Sequence, residues 1–376
     1  MTENRDNKTA AAPSPASSAS RRTFLKGAGI ATGILATGAP KVHAASDSPI
    51  RVGLVGCGGR GTGAALQALT ADPGARLVAV ADAFAEPMYT CLRSLSNQAG
   101  IAAQVEVDQE RQFGGFDGYQ RLLDSDVDIV LLCTPPHFRP LQLRAALQAG
   151  KHVFAEKPVA VDAAGVRSVL ESTQLAADMQ LSIVSGLNSR YSFAMQELMD
   201  RIHDGAIGDI RTLHAVRYAG GVWVRTREPG MTEMEYQMRN WYYFTWLSGD
   251  FNVEQFVHQY DQASWAMQNE YPSRCYSTGG RQARTGQEYG HIFDHFSSVY
   301  EYAGGQRAFM TTRHQRGCSN ESEVIVVGTR GTATLSHRNL AITGEVTWQP
   351  DSDKETDSHQ LEHDAFFSAL RGGKVI

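Results

Sequence analysis

The sequence has no excess of basic residues, few cysteines, and no long apolar run beyond its N-terminal stretch. Its 35 Lys and Arg face 40 Asp and Glu, a formal net charge of −5, so it lacks the basic surface that nucleic-acid-binding proteins need. Without a second run of about 20 apolar residues, a multispan membrane protein is excluded. Five cysteines without CxxC spacing argue against a disulfide framework or a zinc knuckle. The remaining class is a globular protein, 42% apolar, whose 376 residues suffice for two domains.

The N-terminus has the composition of an export signal. The basic segment Ser20-Arg21-Arg22-Thr23-Phe24-Leu25-Lys26 is followed by a glycine-rich apolar run, Gly27 to Ala39, and by the small-x-small sequence Val42-His43-Ala44. This order is typical of a secretory signal, and paired arginines indicate the twin-arginine type. We therefore expect residues 1–44 to be removed and the folded protein to be exported by the twin-arginine machinery, to the periplasm or beyond. No stable membrane span is expected after processing. The alternative is an ordinary N-terminus with two chance arginines.

A glycine-rich motif directly follows the first predicted strand, Ile50–Val55. In this GxGxxG motif the first glycine permits a tight turn, the second lets the backbone approach a pyrophosphate, and the third allows close helix packing. A second strand ends at Asp82, where a carboxylate would bind ribose hydroxyls and repel a 2′-phosphate, which favours NAD over NADP. Arg60 would weaken that preference if it reached a 2′-phosphate, and a βα turn without a ligand is the alternative. The predicted cofactor residues here are Gly56, Gly58, Arg60, Gly61 and Asp82.

Strands and helices continue to alternate up to about residue 184. Buried strands are predicted at 127–133, 152–155 and 181–184, with helices at 138–149 and 163–177 between them. Such alternation predicts an α/β domain with a doubly wound parallel sheet. Because ligands bind at the carboxyl ends of these strands, four further residues are candidates for cofactor contact. They are Thr134, Pro135, Glu156 and Lys157.

These motifs, above all the run from Ala149 to Pro158 (AGKHVFAEKP), resemble the Gfo/Idh/MocA oxidoreductases, which include glucose–fructose oxidoreductase and inositol dehydrogenase. The resemblance covers roughly residues 50 to 370 and points to a secreted branch that acts on sugars. After the signal peptide predicted at 1–44, it implies a Rossmann domain at 50–185 and an α+β substrate domain at 186–376 built on an open, mostly antiparallel sheet with helices on one face. Family members usually continue with another helix, so the second domain is expected to lack its last helix.

The same resemblance implies the catalytic residues. Lys157 would bridge the nicotinamide ribose and a substrate hydroxyl. The Lys-Pro bond that follows this residue is often cis in the family. His258 would act as base, since histidine titrates near neutral pH. Glu254, where the family usually has Asp, lies four residues earlier and would orient His258 from one helical turn away. The alternatives are a solvated lysine, a core histidine, and an acid favoured by the helix dipole.

Substrate contacts are predicted at the start of the second domain and in an aromatic segment. Aromatic faces stack on sugar rings, and Arg or Asn side chains bind hydroxyls, although packing is an equal alternative. These residues are Arg190, Tyr191, Arg239, Asn240 and Trp241. No metal site is expected, because strand alternation would place His291 and His295 on one face and Asp294 on the other.

The sequence therefore favours an exported NAD-dependent oxidoreductase that moves hydride between a tightly held cofactor and a sugar or polyol hydroxyl. One alternative is a glycosidase that uses NAD for transient C3 oxidation and elimination. The other is a binding protein with a vestigial cofactor site. An open antiparallel sheet often forms subunit contacts, so a homo-oligomer is also expected.

Overall fold

The computed structural model describes residues 48–336, 339–351 and 357–376. The predicted signal segment, 1–44, lies outside them. The first half of the described chain forms a six-stranded sheet in which every pair of neighbours is parallel. Its spatial order is β3-β2-β1-β4-β5-β6. These strands are β1 (Ile50–Val55), β2 (Ala75–Asp82), β3 (Gln112–Gly114), β4 (Ile129–Leu132), β5 (His152–Ala155) and β6 (Ile183–Ser185).

Helices cover both faces of this sheet, which explains why its central strands are continuously apolar. The interior of β4 and β5 is buried on both faces. The helices of this half are α1 (Gly59–Ala71), α2 (Ala85–Ser96), α3 (Gly118–Leu123), α4 (Arg139–Gln148) and α5 (Ala163–Met179). The strand order and the helices on both faces confirm the predicted doubly wound fold.

The second half forms a seven-stranded sheet of order β13-β12-β11-β7-β10-β9-β8, in which only β7 and β10 are parallel. Its strands are β7 (Ile210–Ala219), β8 (Arg274–Gly280), β9 (His295–Glu301), β10 (Arg307–His314), β11 (Glu321–Gly328), β12 (Gly331–Leu335) and β13 (Leu340–Gly344). Its helices are α6 (Phe193–His203), α7 (Glu233–Arg239), α8 (Thr245–Ser248), α9 (Asp250–Glu254) and α10 (Val257–Ala266). The predicted, mostly antiparallel second sheet is thus confirmed.

Alternation along β10 shows how the second sheet is packed. Ala308, Met310, Thr312 and His314 are buried while the residues between them are less so, a period of two. The buried face packs in one apolar cluster with side chains of α6 and α10, such as Leu198 and Ala263. The helices therefore cover one face of this sheet, as the sequence predicts.

The last helix, α11 (Ser358–Arg371), packs against the first half of the molecule and not against the second sheet. Phe366 and Phe367 enter the core beneath β1 and α1, and Arg371 pairs with Asp72 at the end of α1, with Nε 2.6 Å from the carboxylate. Ile376 also accepts a hydrogen bond from the backbone N–H of Ile183 in β6. The predicted domain 186–376 thus ends with a segment that completes the core of the first domain.

Two local predictions are corrected. His291 and Asp294 precede β9, which begins at His295, so the strand alternation assumed for these three residues does not apply. The helix expected to carry both Glu254 and His258 is interrupted between α9 and α10. There the N–H groups of Gln255 and Phe256 both donate to the Phe251 carbonyl, which breaks the regular ladder.

Candidate active site

The glycine-rich loop between β1 and α1 has the geometry that the motif predicts. Gly56 has φ +95°, a conformation that favours glycine, and a Cβ there would lie 2.7 Å from the Cys133 carbonyl carbon. A Cβ on Gly61 would lie 1.8 Å from the Gly56 oxygen, so α1 packs directly on the turn. A Cβ on Gly58 would meet open space. The loop therefore leaves room above Gly58, at the N-terminus of α1, where a pyrophosphate fits.

Asp82, at the carboxyl end of β2, holds this loop in place. Its carboxylate accepts from the backbone N–H of Cys57 at 2.7 Å and of Phe84 at 3.0 Å. Burial raises the pKa of Asp82, while these two bonds favour its ionised form. Each carboxylate oxygen keeps a second lone pair, so the position remains suited to ribose hydroxyls.

The end of β4 is fixed by an arginine that the sequence did not single out. Arg139, only 1% exposed, donates to the carbonyls of Leu132 at 2.6 Å and Thr134 at 2.7 Å. The Thr134 hydroxyl donates to Gln142 at 2.6 Å. Thr134 and the adjoining Pro135 thus stand on a rigid turn at the sheet edge, where cofactor contact was predicted.

Arg60 and Glu156 form an ion pair. Arg60 Nε lies 2.5 Å from Glu156 Oε1, and its Nη2 donates to Gln67 at 2.6 Å. Glu156 is buried, and its other oxygen accepts from the backbone N–H of Lys157 at 3.2 Å. The pair connects the glycine loop to the end of β5. Direct cofactor contact by either residue stays a prediction.

Lys157 and Glu254 form a buried ion pair between the two halves of the molecule. Lys157 Nζ lies 3.0 Å from Glu254 Oε1 and 2.9 Å from the Glu254 carbonyl oxygen. Glu254 Oε2 accepts from Gln255 at 2.6 Å. The Lys157–Pro158 bond is cis, as the resemblance implied. An ammonium has three N–H donors, so one remains for a ligand while two are used. The sequence did not predict this pairing.

His258 lies on the first turn of α10 and is half-buried. The break between α9 and α10 separates it from Glu254, so the two are not on one continuous helical face. Glu254 stands beside the end of β5, where it contacts Lys157. The role of His258 as base stays a prediction.

Asp250 is a further polar group that sequence reasoning missed. Its φ is +71°, an uncommon value for a residue other than glycine, and it opens the helix that carries Glu254. Its carboxylate accepts from Phe251 N–H at 2.6 Å and from Phe293 N–H at 3.0 Å. Burial raises the pKa of Asp250 to about 6. Such conformations persist where surrounding structure enforces them, and nothing in a single sequence signals them.

The two predicted contacts at the start of the second domain are engaged within the protein. Arg190 donates to Asp261 at 2.8 Å and to Asn269 at 2.9 Å, and its guanidinium lies 5.1 Å from the centre of the Trp265 ring. Tyr191 packs against the core of the first domain, where burial raises its pKa. These contacts fit packing at the domain junction, and substrate binding by either residue stays a prediction.

The other three predicted contacts differ in accessibility. Asn240 is completely buried; it accepts from Arg225 N–H at 2.9 Å and donates to the Glu288 carbonyl at 2.8 Å. Trp241 is half-buried, 5.9 Å from the ring of Trp223. Arg239 contacts Phe84 and Glu86 in the first half of the molecule. Asn240 thus has a structural role, whereas Arg239 and Trp241 remain partly accessible to solvent.

Residues 236–251 form an aromatic strap that reaches the loops after β2 and β4. Arg239 lies 4.1 Å from the centre of the Phe84 ring, and its Nη1 is 3.3 Å from Glu86. Trp246 packs edge-on against His137 with ring centres 5.0 Å apart. Both loops stand at the carboxyl edge of the first sheet, so the strap runs along the predicted cofactor groove.

In the part of the chain that the structure describes, no helix is long and apolar enough to cross a bilayer. Those same residues contain no cluster of three or more His, Cys, Asp or Glu side chains arranged to hold a metal ion.

Comparison with known proteins agrees with this geometry. The sequence profile described as "Oxidoreductase family, NAD-binding Rossmann fold" matches residues 50–182. The profile of the "GFO/IDH/MocA C-terminal domain" matches residues 195–334. Together they span more than half of the chain. The chain is thus a two-domain, dinucleotide-binding oxidoreductase.

It belongs to the Gfo/Idh/MocA family, as the sequence indicated. An inositol 2-dehydrogenase of Rhizobium meliloti is 24% identical over 336 residues, which cover 87% of this chain and 90% of that protein. A glycosyl hydrolase family 109 protein of Streptomyces coelicolor is 28% identical over 217 residues, 51% of this chain and 44% of that protein. The structure of levoglucosan dehydrogenase with NADH is similar in fold, with a TM-score of 0.68 at 17% identity, covering 88% of this chain and 91% of that one.

Proposed function

We propose that the protein is an exported NAD-dependent oxidoreductase that moves a hydride between a tightly held nicotinamide cofactor and a ring hydroxyl of a sugar or polyol. The observation that carries this proposal is the Lys157–Glu254 pair, which places an ammonium and a carboxylate at the sheet edge beside the glycine loop. Relatives named as inositol and levoglucosan dehydrogenases support a polyol or sugar as the substrate class.

The residues present fit a dinucleotide. The open space over Gly58 and the N-terminus of α1 would take the pyrophosphate, and Asp82 would take a ribose. When bound, the nicotinamide accepts or returns the hydride. The carboxylate of Asp82 repels a 2′-phosphate, and Arg60, the residue that would counter this, is paired with Glu156. We therefore propose NAD as the preferred cofactor.

Oxidation of a carbinol requires that its hydroxyl lose a proton while the carbon loses hydride. The third N–H of Lys157 would donate to the substrate oxygen and stabilise it as negative charge develops. Glu254 fixes the direction of that N–H by engaging the other two donors through its carboxylate and its carbonyl. His258 would take the hydroxyl proton as general base.

Export supports tight retention of the cofactor. A protein that leaves the cytoplasm by the twin-arginine route travels folded, so it would carry its dinucleotide with it. Outside the cytoplasm no free nicotinamide pool exists, and bound cofactor would have to be regenerated by a second substrate. The aromatic strap, which lies on the loops after β2 and β4, suits such retention.

A second function, glycoside cleavage through transient oxidation, is favoured by one observation. The Streptomyces coelicolor relative is named a glycosyl hydrolase family 109 protein, although this chain spans less than half of it. The same Lys157 and the same cofactor would serve, with the sugar re-reduced after the aglycone leaves.

The test starts from the full chain, expressed with residues 1–44 and purified from the exported fraction. Nucleotide released on denaturation is identified by mass, and absorbance at 340 nm is followed while sugars, polyols and aryl glycosides are added. A lasting rise with a sugar or polyol supports the oxidoreductase. Aglycone release without a lasting rise supports the glycosidase instead.

Protein that neither carries nor takes up a dinucleotide would overturn both catalytic proposals and favour a vestigial cofactor site.

The export proposal has its own control, Arg21→Lys with Arg22→Lys, which keeps the charge and removes the arginine pair. We expect this variant to stay in the cytoplasm with its cofactor; export equal to that of the wild type would contradict the twin-arginine route. Size-exclusion chromatography of the same preparation tests the expected homo-oligomer.

A further inference from the structure

A small cavity in the second domain lies between the segment after β7, the loop before β9 and the end of β10. Its volume is about 140 Å³, and its polar lining comprises Arg284, Arg316, His314, Tyr243 and Tyr289. At about 30 Å³ per water molecule, this space holds an oxyanion and part of a sugar ring, but not a dinucleotide.

Arg284 is 3% exposed, and its guanidinium is hydrogen-bonded to neutral groups. Its Nη1 donates to the Phe293 carbonyl at 3.0 Å, and Nη2 lies 2.9 Å from His314 Nδ1. Among the described residues, no Asp or Glu oxygen is within 4 Å of its guanidinium or of that of Arg316, which is exposed at the cavity mouth. A buried guanidinium that no carboxylate touches is costly, so the arrangement points to an anion that is supplied from outside.

The two nearby carboxylates are engaged by backbone N–H groups. Asp294 accepts from Gln282, Ala283 and Arg284 N–H at 2.6–2.9 Å, and its other oxygen binds His295 at 2.8 Å. Asp250 accepts from two backbone N–H groups as described above. Neither neutralises the Arg284 guanidinium by direct contact.

His314 adds a donor for which the described residues provide no acceptor. It is 3% exposed, and its Nδ1 faces the Arg284 donor, so Nδ1 must accept. Burial and the charges of Arg284 and Arg217 lower the pKa of His314 to about 3, which keeps the ring neutral at neutral pH. The proton of a neutral ring with an accepting Nδ1 is on Nε2. Nε2 is buried and makes no hydrogen bond within the described part of the chain.

The side chains of the polar lining are thus mainly donors: two guanidinium groups, the neutral His314 ring and the Tyr289 hydroxyl, while the Tyr243 hydroxyl donates to the Val222 carbonyl at 3.3 Å. Gly221 borders the Arg284 guanidinium, since a Cβ there would lie 3.6 Å from Nη2, at ordinary contact distance. Guanidinium and other donor groups that line one cavity are suited to a carboxylate, sulfate or phosphate oxygen.

We propose that this cavity binds the carboxylate of an acidic carbohydrate, with Arg284, Arg316 and His314 Nε2 as its ligands. The position supports a substrate role, because the Tyr242 hydroxyl lies 3.3 Å from His314 Nδ1, and burial together with the charge of Glu254, the partner of Lys157, raises the pKa of Tyr242. The carbohydrate part of this inference rests on the function proposed above; the oxyanion site does not.

The experiment measures binding without turnover. Titration calorimetry of the purified full chain is performed with D-glucuronate, D-galacturonate, D-glucose, acetate, sulfate and inorganic phosphate. We expect a uronate to bind, the neutral hexose to bind at least tenfold more weakly, and Arg316→Gln to weaken uronate binding about tenfold, the usual loss for one charge-assisted bond. Arg316 is exposed, so this variant is expected to fold. Arg225→Gln, an exposed arginine outside the cavity lining, is the matched control and should bind as the wild type does.

Sulfate or phosphate could bind as tightly as uronate and lose that binding in Arg316→Gln. This result would support the oxyanion site but contradict a sugar acid as its ligand. Equal binding of glucose and glucuronate, or uronate binding unchanged in Arg316→Gln, would overturn the proposal. Uronate binding that depends on Arg316 in a protein without hydride transfer would leave the site standing and contradict only the proposed oxidoreductase activity.

Discussion

The two sheets place their chemistry in different ways. In the first sheet, polar residues follow directly on apolar strands, so that Asp82, Thr134 and Glu156 come to one edge by topology alone. In the second, the important groups converge from segments that are far apart in the chain, such as Asp250, Arg284 and His314. The site residues of a parallel sheet can therefore be predicted from the sequence, because they directly follow its strands. Those of an antiparallel sheet with long insertions can be identified only from the folded structure.

The largest expected effect comes from the residue that joins the two halves. Lys157→Met should lower kcat at least a thousandfold with cofactor retained, because it removes the donor to the substrate oxygen but leaves the glycine loop intact. Steady-state kinetics and cofactor content are the measurements. Lys374→Met, at an exposed lysine, is the matched control and should be fully active.

Glu254→Gln sharpens this result. The Glu254 carbonyl and an amide oxygen would still accept from Lys157, so kcat should fall less than in Lys157→Met, by about tenfold. A Lys157→Met enzyme with wild-type kcat would remove Lys157 from the chemistry.

The second prediction tests whether α11 belongs to the first domain. Phe366 is fully buried in the first core, so Phe366→Ala should reduce the free energy of unfolding by about 3–5 kcal/mol and weaken cofactor retention. Denaturant unfolding with and without NAD measures both. Phe193→Ala, at an exposed phenylalanine of α6, should change stability by less than 1 kcal/mol. An equal loss in both variants would argue against this assignment.

The third prediction concerns pH. Burial raises the pKa of Glu362, on α11, to about 7, against an unfolded value of about 4.3. The folded state thus holds its proton more tightly, and stability falls as pH rises from about 4.3 to about 7. Glu362→Gln should remove this loss and stabilise the protein by roughly 3 kcal/mol at pH 8 but only about 1 kcal/mol at pH 5. Unfolding free energies of both proteins at the two pH values are compared; a pH-independent difference would contradict the shifted titration.

The smallest expected effect separates folding from binding in the glycine loop. Gly58→Ala adds a methyl group in open space, so stability should stay within 0.5 kcal/mol while dinucleotide affinity falls about tenfold. Gly61→Ala is the opposite control, because its Cβ meets the Gly56 oxygen and should lower the melting temperature. Calorimetric titration and thermal unfolding distinguish the two. Unchanged affinity in Gly58→Ala would place the dinucleotide elsewhere.

The sequence allowed the doubly wound domain, its strand ends and the cis Lys157–Pro158 bond to be anticipated, since each depends on local pattern or on family resemblance. It did not allow the partners of Glu254 and Arg60 to be predicted. Spacing suggested that Glu254 would orient His258, but the helix break turns its carboxylate to Lys157, 97 residues earlier in the chain. Arg139 and Arg284 were missed because a buried arginine has the same sequence appearance as an exposed one.

The packing of α11 also sets an order of events during synthesis. The core beneath β1 is closed by residues 358–371, made some 300 residues after the glycine loop that it supports. Contacts between such distant segments form late, after the second sheet has been translated. The nascent chain therefore cannot complete the core beneath the dinucleotide pocket until α11 has been made. Tight cofactor binding would then indicate that both domains and α11 have been made and have folded together.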